Sequence, residues 1–401
     1  MILLCALAFA DDPAPWEKTG FGFGGLPAVN YNTDEGLGAG AIASLYRYDG
    51  ASNPYRWALT TTFFMTTLGV HSHSLELDAL QLTGKPIRLL TRVELQATRT
   101  ANYCGTDPSA ADCDPAEAES AADARGLTGA TRVEFVRHYY QARFVLSQLR
   151  VEGRWALDPM PHQLSVFGLV KVNTLLPGDF STPAPYTGSR YDLDFRGGED
   201  GETSVISVGA MLDDRDFEPA PTRGYWIEAS ARGASRFWGS DWEYFGLNTT
   251  LRGYLPLGTP RLVLADRIVL DGIWGEANTY ELGQSGGSQR YAYYGSLNAG
   301  RGVRLQRFIG EVKAMEQLEV RATVWSPSVG RVPLDFTVLA FSDNAFIAQD
   351  FQHLDHAALV PGLGGGLRIA FDGNFVLRGD VGVSPAEDWS PGVYLDIRNT
   401  Y

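Results

Sequence analysis

In Val312-Lys313-Ala314-Met315-Glu316-Gln317-Leu318-Glu319-Val320-Arg321-Ala322-Thr323-Val324, apolar and charged side chains take turns. One face holds Val312, Ala314, Leu318, Val320, Ala322 and Val324, broken only by Glu316, and the other holds Lys313, Gln317, Glu319, Arg321 and Thr323. A period of two is that of an extended strand, whose side chains point to opposite faces in turn. Residues 162–174 repeat the pattern, with Leu164, Val166, Gly168, Val170 and Val172 against Gln163, Ser165, Lys171 and Asn173. A soluble sandwich also alternates, but it does not usually set so much charge against a face of small aliphatics. The charged face reads as the wall of a water-filled or plugged lumen, the aliphatic face as the side that meets lipid.

After the N-terminal run, no stretch reaches the roughly 18 consecutive apolar residues that a membrane helix needs. Alternating segments recur instead near 19–29, 36–48, 55–66, 73–82, 87–102, 136–154, 162–175, 203–213, 224–236, 242–256, 261–276, 310–325, 333–343, 358–371, 375–383 and 392–401. The fold expected is all-β, a transmembrane antiparallel barrel of about sixteen strands, in which closure pairs every backbone group away from water. The long connections 103–135, 176–202 and 277–309 fall on one side of this count. The tight turns Gly84-Lys85-Pro86, Asp158-Pro159-Met160-Pro161, Gly258-Thr259-Pro260 and Asp372-Gly373-Asn374 fall on the other. Long loops outside and short turns inside are the asymmetry of outer-membrane barrels. Tyr46, Trp57, Tyr103, Trp155, Trp226, Trp238, Trp242, Tyr254 and Trp274 lie near segment ends, where interfacial aromatic girdles are expected.

Composition agrees with an exported chain. Charged residues make up only 20% of the 401, and the net charge of −14 argues against nucleic acid, whose phosphates need a basic face. Residues 1–10 form an apolar run closing on Ala8-Phe9-Ala10 and read as a secretory signal, residues 11–18 as a short periplasmic segment, and 19–401 as the barrel. Cys104 and Cys113 bracket a short polar loop, and in an oxidising compartment this spacing predicts a loop-closing disulfide. The acidic stretch 115–131 reads either as a short helix or as a disordered insert in the third outer loop.

Motifs for chemistry are weak. Gly283-Gln284-Ser285-Gly286-Gly287 has the hydrolase spacing, but a nucleophile elbow needs a strand before it and a helix after it, and both flanks read as loop. Gly20-Phe21-Gly22-Phe23-Gly24-Gly25 has the dinucleotide spacing without the crossover helix that the chemistry requires. His71 with His73, and His353 with His356 and Asp355, are poor in ligands for a metal. Asp107, Asp112, Asp114, Asp192, Asp194, Glu199 and Asp200 read as solvated loop acids. No cofactor, no metal and no enzymatic activity are expected.

The chain resembles the barrel of the BamA and TamA family of outer-membrane assembly proteins, also called bacterial surface antigens, and the related two-partner secretion transporters. Residues 29–40, Val-Asn-Tyr-Asn-Thr-Asp-Glu-Gly-Leu-Gly-Ala-Gly, are similar to that family's first hairpin. Asp213, Arg215 and Asp216, with Pro221 and Gly224, resemble its periplasmic turn. Arg301-Gly302 resembles the signature of its sixth outer loop, followed by Leu318-Glu319-Val320 and Phe341-Ser342-Asp343.

The resemblance implies that the sixth loop folds back into the lumen and that Arg301 pairs there with Glu319 or Asp343, with help from Arg304 and Arg307. A physical argument stands beside it: a loop threading a barrel needs an anchor, and a bidentate contact from Arg to carboxylate is strong where water is scarce. The resemblance also implies a bacterial outer-membrane location among lipids and lipopolysaccharide, and a part in inserting or exporting protein or lipid, with protein clients. A passive channel or structural barrel is the alternative. Gly300 and Val303 depart from the signature, which has a hydrophobic residue before the Arg and an aromatic one after the Gly. Residues 11–18 leave no room for the periplasmic domains that receive clients in the family, so a separate periplasmic partner is expected. Val393, Leu395, Ile397 and Tyr401 share one face and resemble a C-terminal assembly signal, with Asn399 a polar break.

Overall fold

The computed structural model describes residues 19–32, 36–52, 55–80, 85–110, 113–158, 163–177, 188–195, 199–218, 220–288, 291–292, 294–295, 298–329, 332–371, 375–397 and 400–401. The signal and segment expected at 1–18, residues 33–35 of the first hairpin motif, Gly84, residues 159–161 and 372–374, Asp112 and Asn399 lie outside them.

Among the described residues sixteen long strands follow one another: β1 Thr19–Asn32, β2 Gly36–Asp49, β3 Trp57–Thr66, β4 His71–Ala79, β5 Ile87–Asn102, β6 Gln141–Asp158, β7 Gln163–Pro177 and β8 Gly201–Asp213. They continue as β9 Gly224–Ala234, β10 Glu243–Pro256, β11 Leu262–Glu276, β12 Val312–Trp325, β13 Val332–Ala348, β14 Ala358–Phe371, β15 Phe375–Val383 and β16 Gly392–Ile397. Each pairs antiparallel with the next, as in Thr19↔Asp49 at the start and Leu377↔Ile397 at the end. A two-residue strand, Ser328–Val329, also folds back on Val332 and Pro333 in the turn before β13.

Alternation places the side chains as the sequence predicts. On β12, Gln317 and Glu319 are fully buried inward, while Val320 and Val324 are exposed outward. On β7, Leu164, Val166 and Val170 are exposed outward and Asn173 is buried inward. Trp57, Trp155 and Trp274 stand outward near strand ends, and Trp325 stacks on Phe336 at 4.9 Å at the short-turn end. Trp226, Tyr254 and Tyr103 do not join these girdles: the first two are buried in the lumen, the third under the long loops against Tyr191 and Phe195. Strand-end position alone misassigned them, because parity, not nearness to an end, decides whether a ring meets lipid.

Two stretches depart from expectation. Residues 136–138, expected to open β6, belong instead to a helix, Gly129–His138 (α2), which packs against Pro115–Ala124 (α1) through Ala118, Ala122, Phe135 and Tyr139. The helix reading of the acidic stretch therefore holds, with Asp114 accepting the Ala116 N–H as N-cap. At the other end β16 stops at Ile397, and Tyr401 lies in the lumen rather than on the lipid face. Its hydroxyl donates to the Gln317 carbonyl at 2.6 Å and the Ala265 carbonyl at 3.1 Å, and its ring lies 4.9 Å from the Arg267 guanidinium. A phenol gains partners there that lipid cannot supply.

The outward face of β11 to β13 carries one polar interruption. Asp266 stands among Leu264, Ile268 and Leu270, and Glu316 among Ala314, Leu318 and Val320. Asn344 Nδ2 donates to Glu316 Oε2 at 3.1 Å and to Ser342 Oγ at 3.0 Å. Carboxylates facing lipid between two girdles destabilise a barrel. Replacing both, Asp266→Leu with Glu316→Leu, should raise the stability to urea in lipid vesicles by about 1–3 kcal/mol. No gain would mean that this stretch of wall is not bathed in hydrocarbon.

Candidate functional site

The segment from β11 to β12 does not stay outside. Its course through the lumen is pinned at successive points, each a backbone or carboxylate group matched to a strand residue of inward parity. Glu281 accepts from Lys171 Nζ at 2.7 Å, Asn173 Nδ2 at 2.7 Å and the Tyr244 hydroxyl at 2.7 Å. The Gly286 N–H donates at 2.8 Å to Asp271, which also holds Arg232 through two 2.8 Å bonds. The Ser288 N–H donates to Glu228 at 2.7 Å. Further on, Asn102 Nδ2 donates to the Leu305 carbonyl at 2.7 Å. The cavity left beside Gly286, Lys171 and Arg232 is about 30 Å³, room for about two waters.

Arg301 sits at a fully buried turn of this loop. Its Nε and NH2 donate to the two oxygens of Asp343 at 2.9 and 2.8 Å, and its backbone N–H donates to Asp343 at 2.9 Å. NH1 lies 2.8 Å from Glu319 and 3.2 Å from Asp380. The guanidinium also stacks on Phe341, 3.5 Å from the ring centre. Arg301, Glu319 and Asp343 are all 0% exposed, so no water screens these contacts. Both carboxylates singled out in the sequence thus meet Arg301, through the inward parity of β12 and β13.

Sequence reasoning missed the third carboxylate, Asp380, although Leu377 and Val381 face outward on the same strand and leave Arg378 and Asp380 inward. It also missed how the wall makes room. Gly302 has φ +97° and donates its N–H to the Tyr394 hydroxyl at 2.9 Å. A Cβ on Gly362 would lie 2.5 Å from the Arg301 carbonyl oxygen, and one on Gly382 would lie 2.8 Å from the Arg301 carbonyl carbon. Gly362 of β14 and Gly382 of β15 are therefore a seat for the loop backbone. Arg304 and Arg307 face outward from this turn and share Glu387, at 2.7 and 2.9 Å.

The short-turn end holds the second motif. Arg215 donates Nε and NH2 to Asp213 at 2.8 and 2.6 Å, and Asp216 accepts from the Thr222 N–H and hydroxyl at 2.9 and 2.6 Å. Gly224, at φ +99°, lets the returning strand pass the Asp214 carbonyl, which a Cβ would meet at 2.0 Å.

The Omp85 superfamily domain matches residues 139–352, more than half of the chain and the part that holds both motifs. The chain belongs to the Omp85 superfamily. Its fold is similar to BamA from Haemophilus ducreyi lacking POTRA domains 1–3, at TM-score 0.56 and 14% identity over 94% of this chain and 70% of that one. It is also similar to CdiB from Escherichia coli, at TM-score 0.60 and 10% identity over 96% of this chain and 63% of that one. The chain thus spans about two thirds of the length of these proteins. No curated protein matches it in sequence. Membership of the Omp85 superfamily places the barrel in the bacterial outer membrane, and the Asp213 turn lies at the end of the barrel opposite the long loops.

At the long-loop end Cys104 and Cys113 form a disulfide, with Cα atoms 5.0 Å apart, beside a cluster at the mouth. Glu117 there accepts from the hydroxyls of Tyr139 and Tyr140 at 3.1 and 2.9 Å and pairs with Arg190 at 2.5 Å. Partial burial pushes the Glu117 carboxyl up, but the donors Tyr140, Arg190 and Tyr139 outweigh it and hold the group below its ordinary value. A depressed carboxyl stabilises the fold above the unfolded value and loses that contribution as pH falls through the folded one. The hydrogen-exchange protection factors of 115–140, with the intrinsic pH dependence of exchange divided out, should therefore fall on acidification below the ordinary carboxylate range, and Glu117→Gln should abolish this pH step.

The other residues weighed in the sequence carry no such assembly. Ser285 lies in a two-residue ladder with Tyr291 within the segment from β11 to β12, not on a strand-to-helix elbow. His71 and His73 share the outward face of β4, where His73 stacks on Phe63 at 4.4 Å. His353 pairs with Asp350 at 2.8 Å in an exposed outer loop. Among the described residues no group of three metal-ligating side chains converges.

Proposed function

We propose that this barrel assists the insertion or export of protein or lipid at the outer membrane, working at the junction of β1 and β16, with the Arg301 loop held in the lumen as its brace. The observation that carries this reading is the junction itself. β1 pairs with β2 along its whole length and lies against β16, yet among the described residues no ladder joins β1 to β16. An unpaired edge in lipid leaves N–H and C=O groups without partners, which is costly unless another strand or a lipid headgroup supplies them. Phe21, Phe23 and Leu395 stand exposed beside that edge. Protein clients and a separate periplasmic partner belong to this reading, and the loop-filled lumen suits a brace better than an open pore. No catalytic step is part of it.

The test is photocrosslinking in the native membrane from Phe23 and Leu395. Recovery of nascent outer-membrane proteins, or of lipid in transit, is the expected result. Steady conductance in a planar bilayer that Arg301→Ala leaves unchanged, with no crosslinked client, would replace the proposal by a passive channel.

A further inference from the structure

A cavity of about 980 Å³ lies at the outer end of the barrel between the Arg301 turn, the disulfide loop and the β15–β16 connection. That volume is at the upper end of the roughly 300–1,000 Å³ typical of small-ligand sites. Its wall changes character from one end to the other. Val303, Phe308 and Val360 make an apolar floor, and Leu359, 75% exposed on the outward face of β14, carries that floor over the rim to the outer edge of the lipid belt. At the opposite end stand Arg304 and Arg307.

Two carboxylates line the cavity beside the two arginines, but they do not occupy every guanidinium donor. Glu387 is the one carboxylate that both arginines use. Asp388 also lines the cavity but stands exposed at its rim. Arg304 gives Glu387 only its backbone N–H and Nε, at 3.1 and 2.7 Å, so the NH1 and NH2 groups of a side chain 42% exposed have no partner among the described residues. A guanidinium with two adjacent open donors is the group that clasps a phosphate oxygen pair.

We propose that this cavity binds an acyl lipid of the outer leaflet whose headgroup ends in a phosphate monoester, its phosphate on Arg304 and its chain along Phe308, Val360 and Leu359. The floor of the cavity includes Gly302 and its far wall includes Gly392 and Tyr394. A lipid lodged there joins the Arg301 turn to the first residues of β16, so it steadies the outer end of the unladdered junction. The binding claim stands whether or not the barrel handles clients.

Trp389 lies between the lining residues Asp388 and Ser390 and is 56% exposed, which makes it a reporter. The whole chain in neutral detergent micelles is titrated with phosphatidic acid carrying a dibrominated chain, and separately with the same chain on phosphatidylcholine. A Trp389→Phe protein supplies the background of the other tryptophans. The expected result is quenching by the phosphatidic acid at about a fivefold lower mole fraction, with the preference lost in Arg304→Gln. Unchanged heat-modified migration on gels shows that this variant is folded. Inorganic phosphate at millimolar concentration should not displace the lipid. Equal quenching by the two lipids, a preference that survives Arg304→Gln, or displacement by inorganic phosphate alone would each overturn the proposal, the last by making the cavity a simple anion site.

Discussion

Arg301→Ala should destabilise the barrel by about 3–5 kcal/mol, the loss expected when one partner of a buried ion network is removed. The cost does not fall evenly on the three carboxylates. Glu319 keeps Arg321 at 2.7 Å, and Asp380 keeps Arg368 at 2.6 Å. Asp343, fully buried, is left among the described residues with the single backbone N–H of residue 301. A charge in that position has lost water and its counter-ion together.

This uneven loss has a signature. In the Arg301→Ala background, Asp343→Asn should restore part of the stability, because it removes the stranded charge while keeping an acceptor for the backbone N–H. Asp343→Asn alone should cost less than Arg301→Ala, since the guanidinium retains Glu319 and Asp380. A coupling of about 1–3 kcal/mol between the two sites is expected from urea unfolding in lipid vesicles. Additive losses would show that Asp343 does not depend on Arg301, and that the loop is held by its other pins alone.

Most of the wall was legible because its physics is local. A period of two with lipid on one side leaves few choices for Leu164 to Val172 or for Val312 to Val324, and the long and short connections then set which end is which. Glu319 and Asp343 were legible for the same reason, helped by the resemblance around Arg301. What could not be read is what depends on contacts between distant segments. Gly362 and Gly382 follow no pattern within their own strands, and only the loop lying on them explains them. Tyr401 has outward parity, yet its hydroxyl finds carbonyls on β11 and β12 that no pattern within residues 392–401 announces. α2 was hidden because the Val133, Phe135 and Val136 stretch also suits a strand end, and it is packing on Ala118 and Ala122 that makes it a helix.

Gly382→Val should push the loop out of the lumen without altering a single charge. Gly382 is not in the left-handed region, so its backbone accepts a side chain, and the conflict is purely one of space. The new Cβ would lie 2.8 Å from the Arg301 carbonyl carbon and 2.9 Å from the Gly302 nitrogen, backbone atoms that cannot rotate away. Either the loop shifts and its ion pairs break, or the strand bends at a cost of about 1–3 kcal/mol. Trypsin distinguishes the two. In the parent protein the chain around Arg301 is pinned on both sides and should resist cleavage, which needs local unfolding. In Gly382→Val, cleavage after Arg301, Arg304 or Arg307 should appear in the folded barrel. Gly379→Ala is the control, because its Cβ meets only the end of the outward Leu395 side chain, at 3.3 Å. The decisive measurement is the pair Gly382→Val with Arg301→Ala. If both act by releasing the same turn, the second change adds little once the first has been made, whereas losses that simply add would mean that the glycine seat and the arginine hold separate parts of the structure.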